Sequence, residues 1–290
     1  SGGPAQLSKS TAGRMSQLTL ALVQSDISWE QPEKNLAHFD RLVGKGILAD
    51  LVILPEMFTT GFSMASAALA EKMDGPAVSW MRDTAKSIDT ALCGSLIIEQ
   101  DGHYFNRFIW ATADGACWHY DKRHLFRLSA ENEHYTGGSN KLILELNGFR
   151  ICPQICYDLR FPVWSRNDSD FDLLLYVANW PAVRRDHWNT LLRARAIENL
   201  CYVAAVNRIG VDGNDVEYCG DSTVIDFTGI QRAQMQSAGT IETISLDRQS
   251  LLAYRKRFPA HLDADKYKLS LSSPLFSQIL ICDRNDRHGR

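Results

Sequence analysis

No stretch of the chain strings together the roughly 18 apolar residues that a membrane-crossing helix requires, and no block of like charge or low-complexity linker interrupts it. The formal charge at pH 7 is only −3, so nothing general draws the protein to nucleic acid or to an anionic membrane surface. Neither G-x-G-x-x-G nor G-x-x-x-x-G-K-[ST] occurs, which removes the common phosphate-cradling loops. The hydrolase elbow G-x-S-x-G is only approached, by "GFSMA" at 61–65, whose last glycine is missing.

Cysteine is present but wrongly arranged for a scaffold. The seven (93, 117, 152, 156, 201, 219 and 282) are odd in number, form no Cys-x-x-Cys and are not grouped with the eight histidines at zinc-like spacing. A metal clip or a disulfide framework is therefore not expected, and five or six of them read as small buried hydrophobes. The first fourteen residues, "SGGPAQLSKSTAGR", have no apolar stretch of signal-peptide length and read as a tag remnant or disordered tail. Residues 15–290 are then expected to form a single domain, in the cytosol, where thiols stay reduced.

What is present is an alternation of short β-rich runs and helical stretches. Strands are expected over 18–27, 49–56, 91–100, 103–112, 116–124, 141–156, 172–180, 201–210, 220–229 and 240–247. Helices are expected over 31–46, about 75–88, 186–200 and 248–256, with a short one in "FPVWSRNDS" at 161–169. Asp101-Gly102, Asp114-Gly115 and Asn147-Gly148 are hairpin signals between strands. "ADLVILPE" and "DLLLYVANW" are continuous apolar runs of the kind buried on both faces. The fold class is α/β, a layered sandwich of two sheets covered outside by helices. From about residue 258 the pattern loosens into a Pro-bearing tail, expected to wrap the surface or reach a partner subunit.

Three strand ends carry chemistry. Glu56 follows "LVILP", Lys122 ends a hairpin strand inside "YDKRHLF", and Cys156 ends "RICPQIC". Taken singly they read as a loop acid, a surface base and a core cysteine. Together they place an acid, an amine and a thiol where strands leave a sheet, which is where reactive groups gather in α/β proteins. A thiol needs a base to become a nucleophile, and its tetrahedral adduct needs a cation or N–H donors. Cys152 lies inside the same strand and is expected to be packed and inert.

The stretches "LPEMFTTGF" (54–62), "YDKRHLF" (120–126) and "CYDLRFPVW" (156–164) resemble, in order, the three motifs of the carbon–nitrogen hydrolase (nitrilase) superfamily. The likeness continues through "NWP" (179–181), "RARAIEN" (193–199), "NRIG" (207–210) and "GDSTVID" (220–226), and so spans about 16–270. The resemblance implies a four-layer αββα sandwich and a Glu–Lys–Cys triad: Cys156 as nucleophile, Glu56 as general base, Lys122 as oxyanion partner together with the backbone N–H of Tyr157. The family's second glutamate falls on Glu131, counting back seven from Gly138; counting from Gly137 would select Asn132, and Glu133 is two residues away.

Within the family the wording is most similar to the ω-amidase branch, which hydrolyses the terminal amide of short ω-amidodicarboxylates. That implies ammonia release through a cysteine thioester, with no metal, nucleotide or flavin cofactor. Such a substrate needs an anchor for its distal carboxylate. Phe62 and Trp180 are the expected walls, and Arg184 and Arg185 the candidate anchors. Arg160, so near Cys156, reads equally as an anchor or as a structural ion-pair partner of Asp158 or another nearby acid, and His124 and His134 read as bystanders. The same triad serves N-carbamoyl-amide, deaminated-glutathione and aliphatic amide hydrolases and true nitrilases, so these stay open. An idle binding scaffold is opposed by the presence of all three triad residues. The resemblance also implies a homodimer, with the Trp188-bearing helix and the tail as contact candidates.

Overall fold

The computed structural model describes residues 16–44, 46–267 and 269. The chain runs β1 (Gln17–Gln24), α1 (Pro32–Leu42), β2 (Leu51–Ile53), α2 (Pro76–Ile88), β3 (Ala91–Gln100), β4 (His103–Ala111) and β5 (Cys117–Asp121). It continues through β6 (Leu144–Leu146), β7 (Phe149–Ile155), β8 (Leu173–Ala178), α3 (Arg185–Asn199), β9 (Tyr202–Asn207) and the strand pair β10 (Ile209–Val211) and β11 (Glu217–Cys219). It ends with β12 (Thr223–Ile225), β13 (Gln231–Gln234), β14 (Thr240–Asp247) and α4 (Arg248–Arg257). One-turn helices at Ser66–Leu69 and Glu131–His134 punctuate the loops.

Two six-stranded sheets result, ordered β14-β1-β2-β3-β4-β5 and β13-β12-β9-β8-β7-β6. Each has a parallel centre (β1, β2, β3 and β7, β8, β9) with antiparallel strands on both flanks. Period-2 alternation tells which side faces what. Leu18, Leu20, Leu22, Leu51 and Ile53 pack with residues of β7, β8 and β9 in the core between the sheets. Their neighbours Ala21, Val23, Val52 and Leu54 pack under α1 and α2, against Phe39, Val78 and Met81. Trp188, Leu192 and Ala196 of α3 and Leu251 of α4 cover the second sheet. The order helix, sheet, sheet, helix is the expected αββα sandwich.

Strand direction positions the site. Two antiparallel steps from β3 turn β5 back into the sense of β2, so β2 and β5 release Glu56 and Lys122 at the same edge. On the facing sheet the parallel pair β7 and β8 releases Cys156 and Asn179 together. The hairpins obey their signals: Asp101-Gly102 (φ 54° and 77°) and Asn147-Gly148 (φ 50° and 79°) both take the positive φ pair of a type I′ turn.

Several expectations need correction. The run 141–156 is two strands around the Asn147-Gly148 turn, and the apolar run 49–56 contains only three ladder residues. The expected helix at 161–169 is absent; the helical turn is Cys156–Arg160. Pro162 explains the shift, because its ring bars the helical region to Phe161, which is extended at φ −111°, ψ 90°. The pair β10–β11 and strand β13 were not anticipated. Trp188, one of the expected apolar positions of α3, is buried, its ring 5.4 Å from that of Trp180, and it donates to the carbonyl of Asp221.

Of the six cysteines described, Cys93, Cys152, Cys156 and Cys201 are buried and Cys117 and Cys219 half-buried, all free; Cys282 lies outside the described residues, as do the N-terminal tail and the end of the C-terminal one. The described part of that tail crosses back over the nucleophile region, where Tyr267 donates to the carbonyl of Val163 at 2.7 Å. No helix among the described residues is long and apolar enough to cross a membrane.

Candidate active site

Glu56, Lys122, Glu131 and Cys156 converge at the seam between the two sheets. Each is buried, with Glu56 and Glu131 at 0% exposure and Lys122 at 1%. Buried charges persist only when paired and hydrogen-bonded, and here every one is. The Lys122 ammonium lies 3.0 Å from Oε1 of Glu56 and 3.0 Å from both carboxylate oxygens of Glu131. Its remaining side faces the ring of Phe62, 4.9 Å from the centroid. Glu131 also accepts from the backbone N–H of Phe126 at 2.6 Å.

Glu56 is held from both sheets. Oε1 accepts from the Asn106 amide at 2.7 Å, and Oε2 from the backbone N–H of Asn179 at 2.7 Å. The Asn179 amide donates in turn to the Glu56 carbonyl at 2.7 Å. Sequence reading had marked Trp180 in "NWP" but passed over Asn179, and it had no signal for Asn106 beyond one polar residue in the apolar run of β4. Nor did it anticipate Ser95, whose hydroxyl donates to Asn106 Oδ1 at 2.8 Å and accepts from the Met57 N–H at 2.9 Å.

The turn that carries Cys156 is set by a buried acid. Asp158 accepts from the Tyr120 hydroxyl at 2.7 Å, from the Ile155 N–H at 3.1 Å and from the His124 N–H and Nδ1 at 2.9 and 2.8 Å. It thereby ties the Cys156 turn to the loop that carries Lys122. Cys156 itself has φ 42°, a left-handed conformation costing a β-carbon-bearing residue about 1–3 kcal/mol. Cys156 lies just past the end of β7 and lines the cavity described below, while Cys152 lies within the strand and does not. The Glu131 spacing also has a cause. Gly138 passes beneath the end of β5, donating to the Lys122 carbonyl at 2.9 Å, where a Cβ would lie 2.2 Å from the Asp121 carbonyl oxygen.

Electrostatics fix the resting state. Burial and the carboxylate of Glu56 push the Cys156 thiol well above the ordinary cysteine range, and Lys122 only partly opposes them. Burial alone would lower the Lys122 ammonium, but Glu131 and Glu56 outweigh it and raise it. Burial raises Glu131, against the pull of Lys122. Both effects on Cys156 favour the neutral thiol over a preformed thiolate. Cys152 is pushed up to about 12 by burial, which leaves it inert at neutral pH. No group of three or more His, Cys, Asp or Glu among the described residues is arranged to hold a metal ion.

Cys156 and Lys122 open onto a cavity of about 470 Å³, within the range of small-molecule sites. Tyr157, Phe62, Trp180 and Arg184 line it as expected, whereas Glu56 and Glu131 sit behind its wall. Arg185 does not line it; its guanidinium is bound bidentately to the buried carboxylate of Asp221. Of the two readings open for Arg160, the ion pair with Asp158 is not formed. Arg160 lines the cavity, stacks 4.9 Å over the Trp180 ring and donates to His187 Nδ1, leaving Asp158 to its other donors. Neither Arg160 nor Arg184 has a carboxylate partner among the described residues. His124 lies outside this cavity, stacked on Phe161 at 3.7 Å, and His134 enters only through its carbonyl, bonded by Ser66.

Known proteins share this arrangement of chain and fold. The carbon–nitrogen hydrolase family model matches residues 19–256. The chain is 46% identical to the omega-amidase YafV of Yersinia enterocolitica over 88% of its own length and 100% of the relative's. It is 35% identical to the 2-oxoglutaramate amidase of Bacillus subtilis, covering 86% and 98% of the two. Among solved structures, the CN-hydrolase superfamily protein of Xanthomonas campestris with an arsenic adduct in its active site superposes with a TM-score of 0.85 at 48% identity, covering 88% and 99%. With the family motifs lying on the strand ends that build the buried cluster, the chain belongs to the carbon–nitrogen hydrolase family.

Proposed function

We propose that the protein is an ω-amidase, releasing ammonia from the terminal amide of a short ω-amidodicarboxylate of the 2-oxoglutaramate or 2-oxosuccinamate type through a Cys156 thioester. The observation that carries this reading is the pair of guanidiniums, Arg160 and Arg184, without carboxylate partners among the described residues in the cavity that holds Cys156. The relatives named for ω-amidase and 2-oxoglutaramate amidase activity support it.

In the proposed cycle Glu56 takes the thiol proton as sulfur attacks the amide carbon. Two carboxylates and one ammonium surround the thiol, and moving its proton to Glu56 leaves the total charge of the cluster unchanged. The carbonyl oxygen becomes an oxyanion between the Lys122 ammonium and the Tyr157 N–H. At rest Lys122 donates to Glu56 and to both oxygens of Glu131, so one of the two Glu131 bonds gives way to the oxyanion as it forms. Tyr157 is at the second position of the 3₁₀ turn Cys156–Arg160, where an N–H has no partner within the turn. One such donor is worth about 10²–10³ in rate. Glu56 then returns the proton to the departing nitrogen, ammonia leaves, and a water deprotonated by Glu56 cleaves the thioester.

The test is ammonia release from 2-oxoglutaramate, succinamate, N-carbamoyl-β-alanine, a neutral aliphatic amide and a nitrile. Preference for the first two, with an acyl mass on Cys156 after rapid quenching, is expected. Preference for the carbamoyl, neutral or nitrile substrate would replace the pocket assignment and keep the nucleophile.

A further inference from the structure

Asn106 touches every charged member of the cluster. Its side-chain amide donates to Glu56 Oε1 at 2.7 Å and, more weakly, toward Glu131 Oε1 at 3.4 Å. Its backbone carbonyl accepts the N–H of Lys122 at 3.0 Å. It is wholly buried, so no water substitutes for any of these bonds.

The orientation of the amide is determined by its surroundings. Ser95 Oγ accepts from the Met57 N–H, which leaves its own proton for Asn106 Oδ1. Flipping the amide would turn an oxygen toward two carboxylates and an NH₂ toward Ser95, losing a charge-assisted bond. Ser95 therefore aims the NH₂ at Glu56. It also grips Met57, the residue after Glu56, which itself is left-handed at φ 43°. A short chain of bonds from β3 and β4 thus controls both the backbone and the carboxylate of Glu56.

We propose that Asn106 is a positioning residue that holds the side chain of Glu56 aimed at the Cys156 thiol, with Ser95 locking its amide in the required orientation. The inference rests on the reading of Glu56 as the base that takes the Cys156 proton. A donor to a carboxylate favours its charged form. Glu56 faces four other titratable groups: Lys122 at the end of β5, Glu131 on the one-turn helix, Tyr135 just after that helix and Cys156 at the end of β7. Lys122 favours the ionised form, while Glu131 and a developing thiolate oppose it. With Asn106 removed, the Lys122 bond and the Asn179 donors remain, and Glu56 protonates more readily.

The experiment compares wild type with Asn106→Ala, Ser95→Ala and Asn106→Asp by two pH profiles, each backed by circular dichroism and Tm. One is kcat/KM for the amide that the wild type hydrolyses best. The other is alkylation of Cys156 by iodoacetamide, read by mass, which needs no turnover. Asn106→Ala is expected to lower kcat about 10–100-fold with KM nearly constant, and to move the acid limb of both profiles up by about one pH unit. Ser95→Ala moves the limb in the same direction by less.

In Asn106→Asp the new carboxyl shares a proton with Glu56, as like-charged neighbours do. That variant keeps part of its activity in mid-range and loses it on the alkaline side, as the shared proton leaves. Limbs coinciding with wild type, while rate falls only with the folded fraction, would overturn the proposal. A shifted alkylation limb in the variants, with a wild type that does not hydrolyse ω-amidodicarboxylates, would uphold this inference and sink the ω-amidase reading instead. Should Asn106→Ala fail to fold, the other two variants carry the same readout.

Discussion

The backbone N–H of Asn179 lies 2.7 Å from Oε2 of Glu56, a bond that crosses from one sheet of the sandwich to the other. Glu56 hangs from the end of β2 and Cys156 from the end of β7, on the facing sheet, so in the proposed mechanism neither sheet alone contains a working site. Asn179 follows β8, the parallel neighbour of the nucleophile strand, and holds the base in line with it.

Cys156→Ala is expected to reduce ammonia release to background while the circular dichroism spectrum and Tm stay near wild type. Cys152→Ala should keep its kcat and lose about 1 kcal/mol of stability, the scale of a small deletion in a packed core. If the Cys152 variant were the inactive one, the assignment of the strand-end thiol would fail.

The thiol above its ordinary range gives a spectroscopic expectation. The thiolate absorbance in the difference between wild type and Cys156→Ala should be absent at neutral pH and should rise only above the ordinary thiol value of about 8.5. The native state keeps the proton that the unfolded chain releases there, so this group's contribution to stability declines as pH rises past that value. A thiolate band at neutral pH would mean a resting ion pair.

Replacing Lys122 by Met leaves two buried carboxylates without their cation, a loss of about 3–5 kcal/mol. Glu131 is already raised by burial in the wild type, and the ammonium that opposes this is gone in the variant. A raised carboxyl contributes stability when protonated, fully below its unfolded value and less as pH climbs through its folded one. The denaturation midpoint of Lys122→Met should therefore recover as pH falls from about 8 toward 5, relative to wild type. A gap independent of pH would contradict the ionic assignment.

For the cavity arginines, Arg184→Met or Arg160→Met should raise KM about 10–100-fold for 2-oxoglutaramate, the worth of a charged hydrogen bond, with little change for a neutral amide. Arg185→Met should leave KM unchanged and lower Tm, because its partner is the buried Asp221. Equal effects on charged and neutral substrates would place the carboxylate elsewhere.

The residues that perform bond-making were legible because each ends an apolar run, and the run itself declares where the chain leaves the sheet. The residues that aim them were not. Asn106 is one polar position in β4, and nothing local says that its partners are 50 and 25 residues away. Proximity in sequence leaves an Arg160–Asp158 pair open, yet Asp158 turns inward to Tyr120 and His124, 38 and 34 residues distant. Arg184 and Arg185 were indistinguishable in the string. The first helical turn of α3 separates them, sending one to the cavity and the other to Asp221. Strand lengths were overestimated for a related reason: apolar runs continue past the last ladder bond wherever the loop beyond is itself buried, as at Leu54 and Pro55.

A site split across the sandwich makes turnover a gauge of how tightly the halves are clasped. Misplacing a reacting group by about 1 Å can cost on the order of 10²-fold in rate. A globule swollen by mild acid or heat keeps its far-ultraviolet spectrum while its packing loosens. In this protein such a state would be catalytically silent: loss of activity should precede loss of secondary structure, and recovery on refolding should wait for the last compaction of the core.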